Sequence, residues 1–252
     1  MAALEPLPIL AVSGGALGLF LGGFSKGALG LGMPLIAVPI LALFMPVPQA
    51  LAMLTVPIVV TNVWQSVQGG NLSVVWRRFW PMGMALVIGI GAGTQVLVRL
   101  EPATLYIVMG TVVLIQPTVR LFRPDYTITE SRQRWMGPTI CGLSGILGGI
   151  SGFYAAPLLV YLTMVRLPKD IFTATIALMF LLGGAAFAVF LAHAGVLTGE
   201  ILVLSAAALA PTVAGIWVGI RIRYRISQAQ FEKGITVVML LMGVSLIGKG
   251  IA

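Results

Sequence analysis

The densest chemistry in this chain sits in two glycine-rich segments, each closing on a proline. The first runs from Gly22 through Ser25, Lys26, Gly27 and Gly30 to Pro34, and the second from Gly145 through Gly149, Ser151, Gly152 and Phe153 to Pro157. Backbone this rich in glycine holds a regular helix poorly, and freed amide and carbonyl groups are tolerated at membrane depth only when buried in protein or lining a wet cavity. Where a helix restarts after such a break, its unpaired N–H groups and the positive end of its dipole form a receiver for anions. Gly27, Gly30, Gly149, Gly152 and Phe153 are therefore candidate backbone contacts, and Ser25 and Ser151 candidate hydroxyl donors. The competing reading is that small residues let helices approach closely, which is the reading adopted for Gly14 with Gly18, Gly89 with Gly93 and Gly215 with Gly219.

Lys26 is the sharpest single residue, because a cation inside the break would neutralise an anion at a depth where ionisable groups are uncommon. The alternative places it at the membrane surface, snorkelling to lipid phosphate. A second matched element follows each segment: Pro48 leads to Thr55 as Pro168 leads to Thr175, which makes the two threonines candidate ligands by their mirrored places. Asn62, Gln65 and Gln68 lie in the same apolar run as Thr55, where uncharged donors need partners; Asn62 is carried forward as a site candidate and helix-to-helix bonding is the alternative for each.

A catalytic reading competes. Gly142-Leu143-Ser144-Gly145 fits the short nucleophile pattern of rhomboid intramembrane proteases, with His193 as base, and Gly23-Phe24-Ser25-Lys26-Gly27 fits a nucleophile elbow. Four-residue patterns arise by chance in a chain with 31 glycines, and a serine nucleophile needs a base within hydrogen-bond reach. Ser144 falls mid-span and His193 at a span end, so no enzyme is expected. One cysteine, Cys141, and one histidine exclude an intrachain disulfide and a Cys/His metal cluster, and no cofactor is expected.

The elements that must position these residues are membrane helices. Hydrophobic residues make up 59% of the 252 and charged residues 9%, with a mean hydropathy of +1.05. No soluble domain buries that much apolar surface, and at roughly 20 residues per span the length accommodates about ten. The runs fall near 7–24, 28–45, 49–68, 79–98, 102–121, 136–150, 153–165, 171–192, 199–220 and 229–249. The opening residues carry Glu5 and no basic run, so no cleaved leader is expected.

With alternating spans, one side collects Arg77, Arg78, Arg120, Arg123, Arg132, Arg134, Arg166, Lys169, Arg221, Arg223, Arg225 and Lys233, and the other Arg99 and Lys249. The positive-inside rule makes the first side cytoplasmic and both termini extracytoplasmic, in a bacterial-type inner membrane. The net charge of +8 is thereby a matter of orientation, not of nucleic-acid binding. The polar stretch 122–135, with Pro124, Asp125 and Glu130, divides the chain near its middle. The expected organisation is a first five-helix repeat over 1–122, a cytoplasmic linker over 123–135 and a second repeat over 136–252. An odd number of spans per half inverts the second half, a recurring transporter plan.

The paired glycine segments closing on proline, with the paired Pro-to-Thr helix starts, resemble the sulfite exporter TauE/SafE family over nearly the whole chain. The resemblance implies a secondary carrier of sulfite, sulfoacetate or related sulfur-containing or organic anions. An anion channel would use the same halves around a continuous pore, but no charged ring or repeated filter is visible. No P-loop appears, so a self-contained pump is disfavoured. The acidic residues fall near span ends, leaving no midmembrane carboxylate for proton coupling. Uniport or export driven by the substrate's own charge is the expected energetics.

Overall fold

The computed structural model describes residues 9–30, 32–67, 71–121, 127–223 and 228–251. The features noted at Glu5, Gln68, Arg123, Pro124, Asp125 and Arg225 lie outside these. Among the described residues the chain forms twelve helices and no strand. The apolar composition dictates this, because a backbone surrounded by hydrocarbon must satisfy its own polar groups within each segment. In chain order they are α1 (Ile9–Leu29), α2 (Met33–Leu41), α3 (Val47–Ala52), α4 (Thr55–Val67), α5 (Leu72–Leu97), α6 (Pro102–Leu121), α7 (Glu130–Ser151), α8 (Ala155–Val165), α9 (Lys169–His193), α10 (Gly199–Ala207), α11 (Leu209–Ile222) and α12 (Gln228–Ile251).

Ten places in the sequence pattern become twelve helices because two of them are broken. The run Val47–Val67 is interrupted between α3 and α4, and Gly199–Ile222 between α10 and α11. Among the described residues, four helical runs are long and apolar enough to cross a membrane: these two, α5 and α9. The elements expected at 28–45 and 153–165 are shorter than full spans. α2 has 9 residues and α8 has 11, about 14 and 16 Å of helix at 1.5 Å per residue, roughly half a hydrocarbon core of about 30 Å. The polar stretch between the halves is shorter than its composition suggests, since α7 begins at Glu130 after the N-cap Thr129 and takes residues 130–135 into its first turns.

Glycine pairs set the packing. Gly23 and Gly27 of α1 lie against the backbone of Thr212 and Ile216 of α11, and Gly215 and Gly219 against Phe20 and Phe24 of α1. α7 meets α5 in the same register: Gly145 and Gly149 lie against Leu86 and Ile90, and Gly89 and Gly93 against Gly142 and Ile146. In both pairs the numbers rise together, so the helices run parallel. α6 and α12 cross antiparallel, with Gly110 near Gly243 and Gly250 near Ala103. A side chain at these crossings meets backbone, which cannot yield, so the small residues are what allow such close approach. Large apolar side chains such as Trp64, Ile88, Val189 and Val203 point outward, as helices bathed in lipid require.

Candidate functional site

The two glycine segments break their helices later and more sharply than their composition suggests. α1 stays helical through Ser25, Lys26 and Gly27 and ends where Gly30 takes φ +80°, its N–H donating to the Lys26 carbonyl at 2.7 Å. Gly32, at φ +96°, caps α2, with Pro34 in its first turn. α7 stays helical through Ser151 and ends where Gly152 takes φ +78°. At such angles any side chain is strained, so glycine is the residue that permits the turn. Each break leads directly into a short helix antiparallel to the long one, with Gly22 against Met33 in the first hairpin and Gly148 against Tyr154 in the second.

The two hairpin tips meet at one cavity. It encloses about 470 Å³ of space, including the part that opens to solvent, and is lined by Gly32 and Met33 from the first break and by Gly152, Phe153 and Ala155 from the second. Lys26 reaches it from α1, Ile58 and Asn62 from α4, and Phe180 from α9. Lys26 is 8% exposed and its ammonium donates to the Asn62 side-chain oxygen at 2.7 Å. The Asn62 amide nitrogen in turn donates to the Ile58 carbonyl at 2.8 Å, which fixes the orientation of the amide. Among the described residues that line the cavity, Lys26 is the single charged one. The N-termini of α2 and α8 also begin here, and the first N–H groups of a helix have no acceptor within it.

The candidates read from sequence divide accordingly. Lys26, Asn62, Gly152 and Phe153 line the cavity. Thr55 lines a second, smaller space that shares Pro34, Ile58, Gly152 and Tyr154 with the first. Gly30 shapes the first turn, while Gly27 and Gly149 face the backbone of α11 and α5. Ser25 is buried on α1 away from the cavity lining. Ser151 donates to the Leu147 carbonyl at 2.7 Å and accepts from the Phe153 N–H at 3.2 Å, so its hydroxyl caps the break. Thr175 is fully buried and bonds back to the Ile171 carbonyl at 2.7 Å.

Other residues matter that the motif reading passed over. Tyr154 packs its ring against Gly148 and Gly183, stands edge-on to Phe180 with centroids 5.5 Å apart, and donates to the Phe180 carbonyl at 3.3 Å. The adjacent glycines Gly183 and Gly184, inside an otherwise bulky apolar helix, were the available signal for a large side chain seated there. Ser205 of α10 spans the α3–α4 interruption, accepting from the Val56 N–H at 3.1 Å and donating to the Met53 carbonyl at 2.9 Å. It satisfies the groups that the broken helix leaves open, and a lone serine in an apolar run gave no hint of it. The Ser144 hydroxyl is buried without a hydrogen-bond partner among the described residues, and His193 is exposed in the last turn of α9. A serine nucleophile needs its base bonded to it, so the protease reading has no support.

Neither a curated protein nor a solved structure matches the chain. The family profile for the sulfite exporter TauE/SafE matches residues 15–246, which takes in both glycine breaks, the residues that line the cavity and the glycine crossings of α1 with α11 and of α5 with α7. The chain is therefore a multi-pass membrane protein belonging to the TauE/SafE family of sulfite-exporter transporters.

Proposed function

We propose that this protein is a secondary carrier exporting a small sulfur-containing anion, sulfite or an organic sulfonate, by alternating access at the cavity between the two breaks. The observation that carries the reading is the convergence of both glycine breaks on one space into which a single buried cation, Lys26, projects. Lys26 supplies the charge, Asn62 holds it in place, and the starts of α2 and α8, at Met33 and Ala155, add backbone donors. Gly30, Gly152 and Phe153 shape the turns that lead into them, with their own N–H groups bonded to Lys26, Gly148 and Ser151. Thr55, from the adjoining space, comes within reach as the site changes shape. Ser25, Ser151 and Thr175 support the helices that carry these groups, and Gly27 and Gly149 are the contacts about which α1 and α7 move.

The two halves, 1–122 and 136–252 with a cytoplasmic linker between them, form an inverted repeat. The matching registers of α1 with α11 and of α7 with α5 support this, as do the near-equal φ angles of Gly30 and Gly152. Contacts across the chain also fit the charge segregation read from sequence. Arg78 donates to Gln133 at 3.2 Å, joining two positions assigned to the cytoplasmic side. Lys249 donates to the Ala42 and Leu43 carbonyls at 2.9 and 3.2 Å at the opposite end. Both termini lie on the extracytoplasmic side of an inner membrane.

An inside-negative potential favours exit of an anion by about 2.3 kcal/mol per charge per 100 mV, so no proton coupling is required. Proteoliposomes loaded with sulfite test this under an imposed potassium diffusion potential without a proton gradient. Efflux should rise with the potential and vanish in Lys26→Gln. Efflux that needs a proton gradient and ignores the potential would overturn the energetics, and equal efflux from Lys26→Gln would overturn the site.

A further inference from the structure

The two short helices that start at the cavity are held at their far ends by different chemistry. The last carbonyls of a helix have no partner within it, and a cation placed there is favoured by the helix dipole. At the end of α2 that cation is Lys249, in the last turn of α12. Its ammonium donates to the Ala42 and Leu43 carbonyls at 2.9 and 3.2 Å and lies 4.6 Å from the centre of the Tyr106 ring of α6. At the end of α8 the Met164 carbonyl accepts instead from the backbone N–H of Ile128 at 3.1 Å, and the Tyr161 hydroxyl donates to the Gln133 carbonyl at 3.2 Å. The Gln133 side chain donates in turn to the Ile128 carbonyl at 2.9 Å. α8 is thus fastened to the start of α7, the helix it folds back from, whereas α2 is held by a helix from the other end of the chain. The attachments also differ in how they come apart. Ile128 is 1% exposed, so releasing its N–H would strand a buried donor, while Lys249 is exposed and exchanges carbonyl oxygens for water at little cost.

We propose that Lys249 is a positioning residue for transport: it latches the far end of α2, and its release from Ala42 and Leu43 lets the first hairpin move while the second stays fastened. α2 begins at Met33 on the cavity wall and runs only nine residues to Leu41, next to the carbonyls that Lys249 holds. A helix that short moves as one piece, so a shift at the Lys249 end displaces Met33 and Leu35 at the cavity without any contact between Lys249 and the anion. This deepens the carrier reading above and rests on the cavity being the transport site.

Two measurements on the full-length protein in vesicles of known orientation test this, both in a Cys141→Ala background. In the first, Leu35→Cys places a single thiol on the α2 side of the cavity, and a membrane-impermeant thiol reagent is applied at the extracytoplasmic face. Lys249→Met should raise the modification rate at least about fivefold, and Lys249→Arg, which keeps the cation and its donors, should leave it within about twofold of the parental rate, because the rate follows the population of the open state. In the second, Lys249→Cys and Leu43→Cys are bridged by a short bifunctional thiol reagent, with each single-cysteine protein treated alike as the control. Sulfite efflux should stop in the bridged protein and return when the bridge is reduced. A merely structural cap would lower the melting temperature of Lys249→Met and move neither readout. A parental modification rate in Lys249→Met, or parental efflux from the bridged protein, would therefore overturn the latch and leave the cavity standing. Parental efflux from Lys26→Gln would overturn the cavity, and the role of Lys249 with it.

Discussion

The Lys26 ammonium and the Asn62 side-chain oxygen lie 2.7 Å apart, joining α1 to α4 at the mouth of the first glycine break. The bond explains how a lysine comes to rest 8% exposed in an apolar protein. A neutral partner lets it keep its charge available, where a carboxylate would consume it. Asn62→Asp should therefore convert the pair into a closed ion pair. The new ion pair's attraction offsets part of the desolvation cost, and the variant also loses the bond from the Asn62 amide to the Ile58 carbonyl, so a lowered melting temperature is expected. The expected result is a folded protein with anion flux reduced at least about tenfold, a difference of about 1.4 kcal/mol in binding. Flux from proteoliposomes and melting of the purified variant, measured together, check this; parental flux from a folded Asn62→Asp protein would show that the lysine charge is not used.

The glycine crossings make a separate prediction. A methyl group on Gly27 would meet the Ile216 backbone, and one on Gly149 the Ile90 backbone, whereas nothing lies within 4 Å of the corresponding position at Gly199. Overpacking of this kind costs about 1–3 kcal/mol. Gly27→Ala and Gly149→Ala should each lower the melting temperature, with Gly199→Ala unchanged or slightly raised. Anion affinity in the variants that fold should hold to within a few fold. A loss of affinity with unchanged melting would instead place Gly27 and Gly149 in contact with the anion.

Topology is tested by reporter fusions. Fusions after Arg78 and Arg134 should report cytoplasmic, consistent with the Arg78 to Gln133 bond that brings the starts of α5 and α7 together. A fusion after Leu197, beyond the Gly195 turn that follows α9, should report extracytoplasmic. A cytoplasmic reading at Leu197 would contradict the inverted halves.

Much of this was legible in the sequence because membrane segments announce themselves by composition. The run at 102–121 coincides with α6, and the runs at 171–192 and 199–220 lie within a few residues of α9 and of the α10–α11 pair. The run at 28–45 was legible as apolar but not as short, because hydropathy reports what a segment is surrounded by and not how far it travels: α2 is 9 residues long, whereas the run at 153–165 lies within two residues of α8. Of the site, Lys26 and Asn62 stand out in sequence because polar residues in apolar runs demand partners, but which of them meet depends on how α1 and α4 pack. Glycine is the hardest to read. Gly27 and Gly30 lie one turn apart in the same motif, yet one faces a helix backbone and the other takes φ +80° in open space, and only tertiary contacts separate those uses.

Alternating access through the cavity is tested most directly by the accessibility of one position that lines it. Ala155 sits at the start of α8 on the second break, and the one native cysteine, Cys141, is buried, so Ala155→Cys in a Cys141→Ala background gives a single reporter thiol. In vesicles of known orientation, a membrane-impermeant thiol reagent should modify it from either face, and a transported anion should slow the reaction from both. Modification from one face alone, at a rate the anion leaves unchanged, would contradict a carrier that opens this cavity to each side in turn.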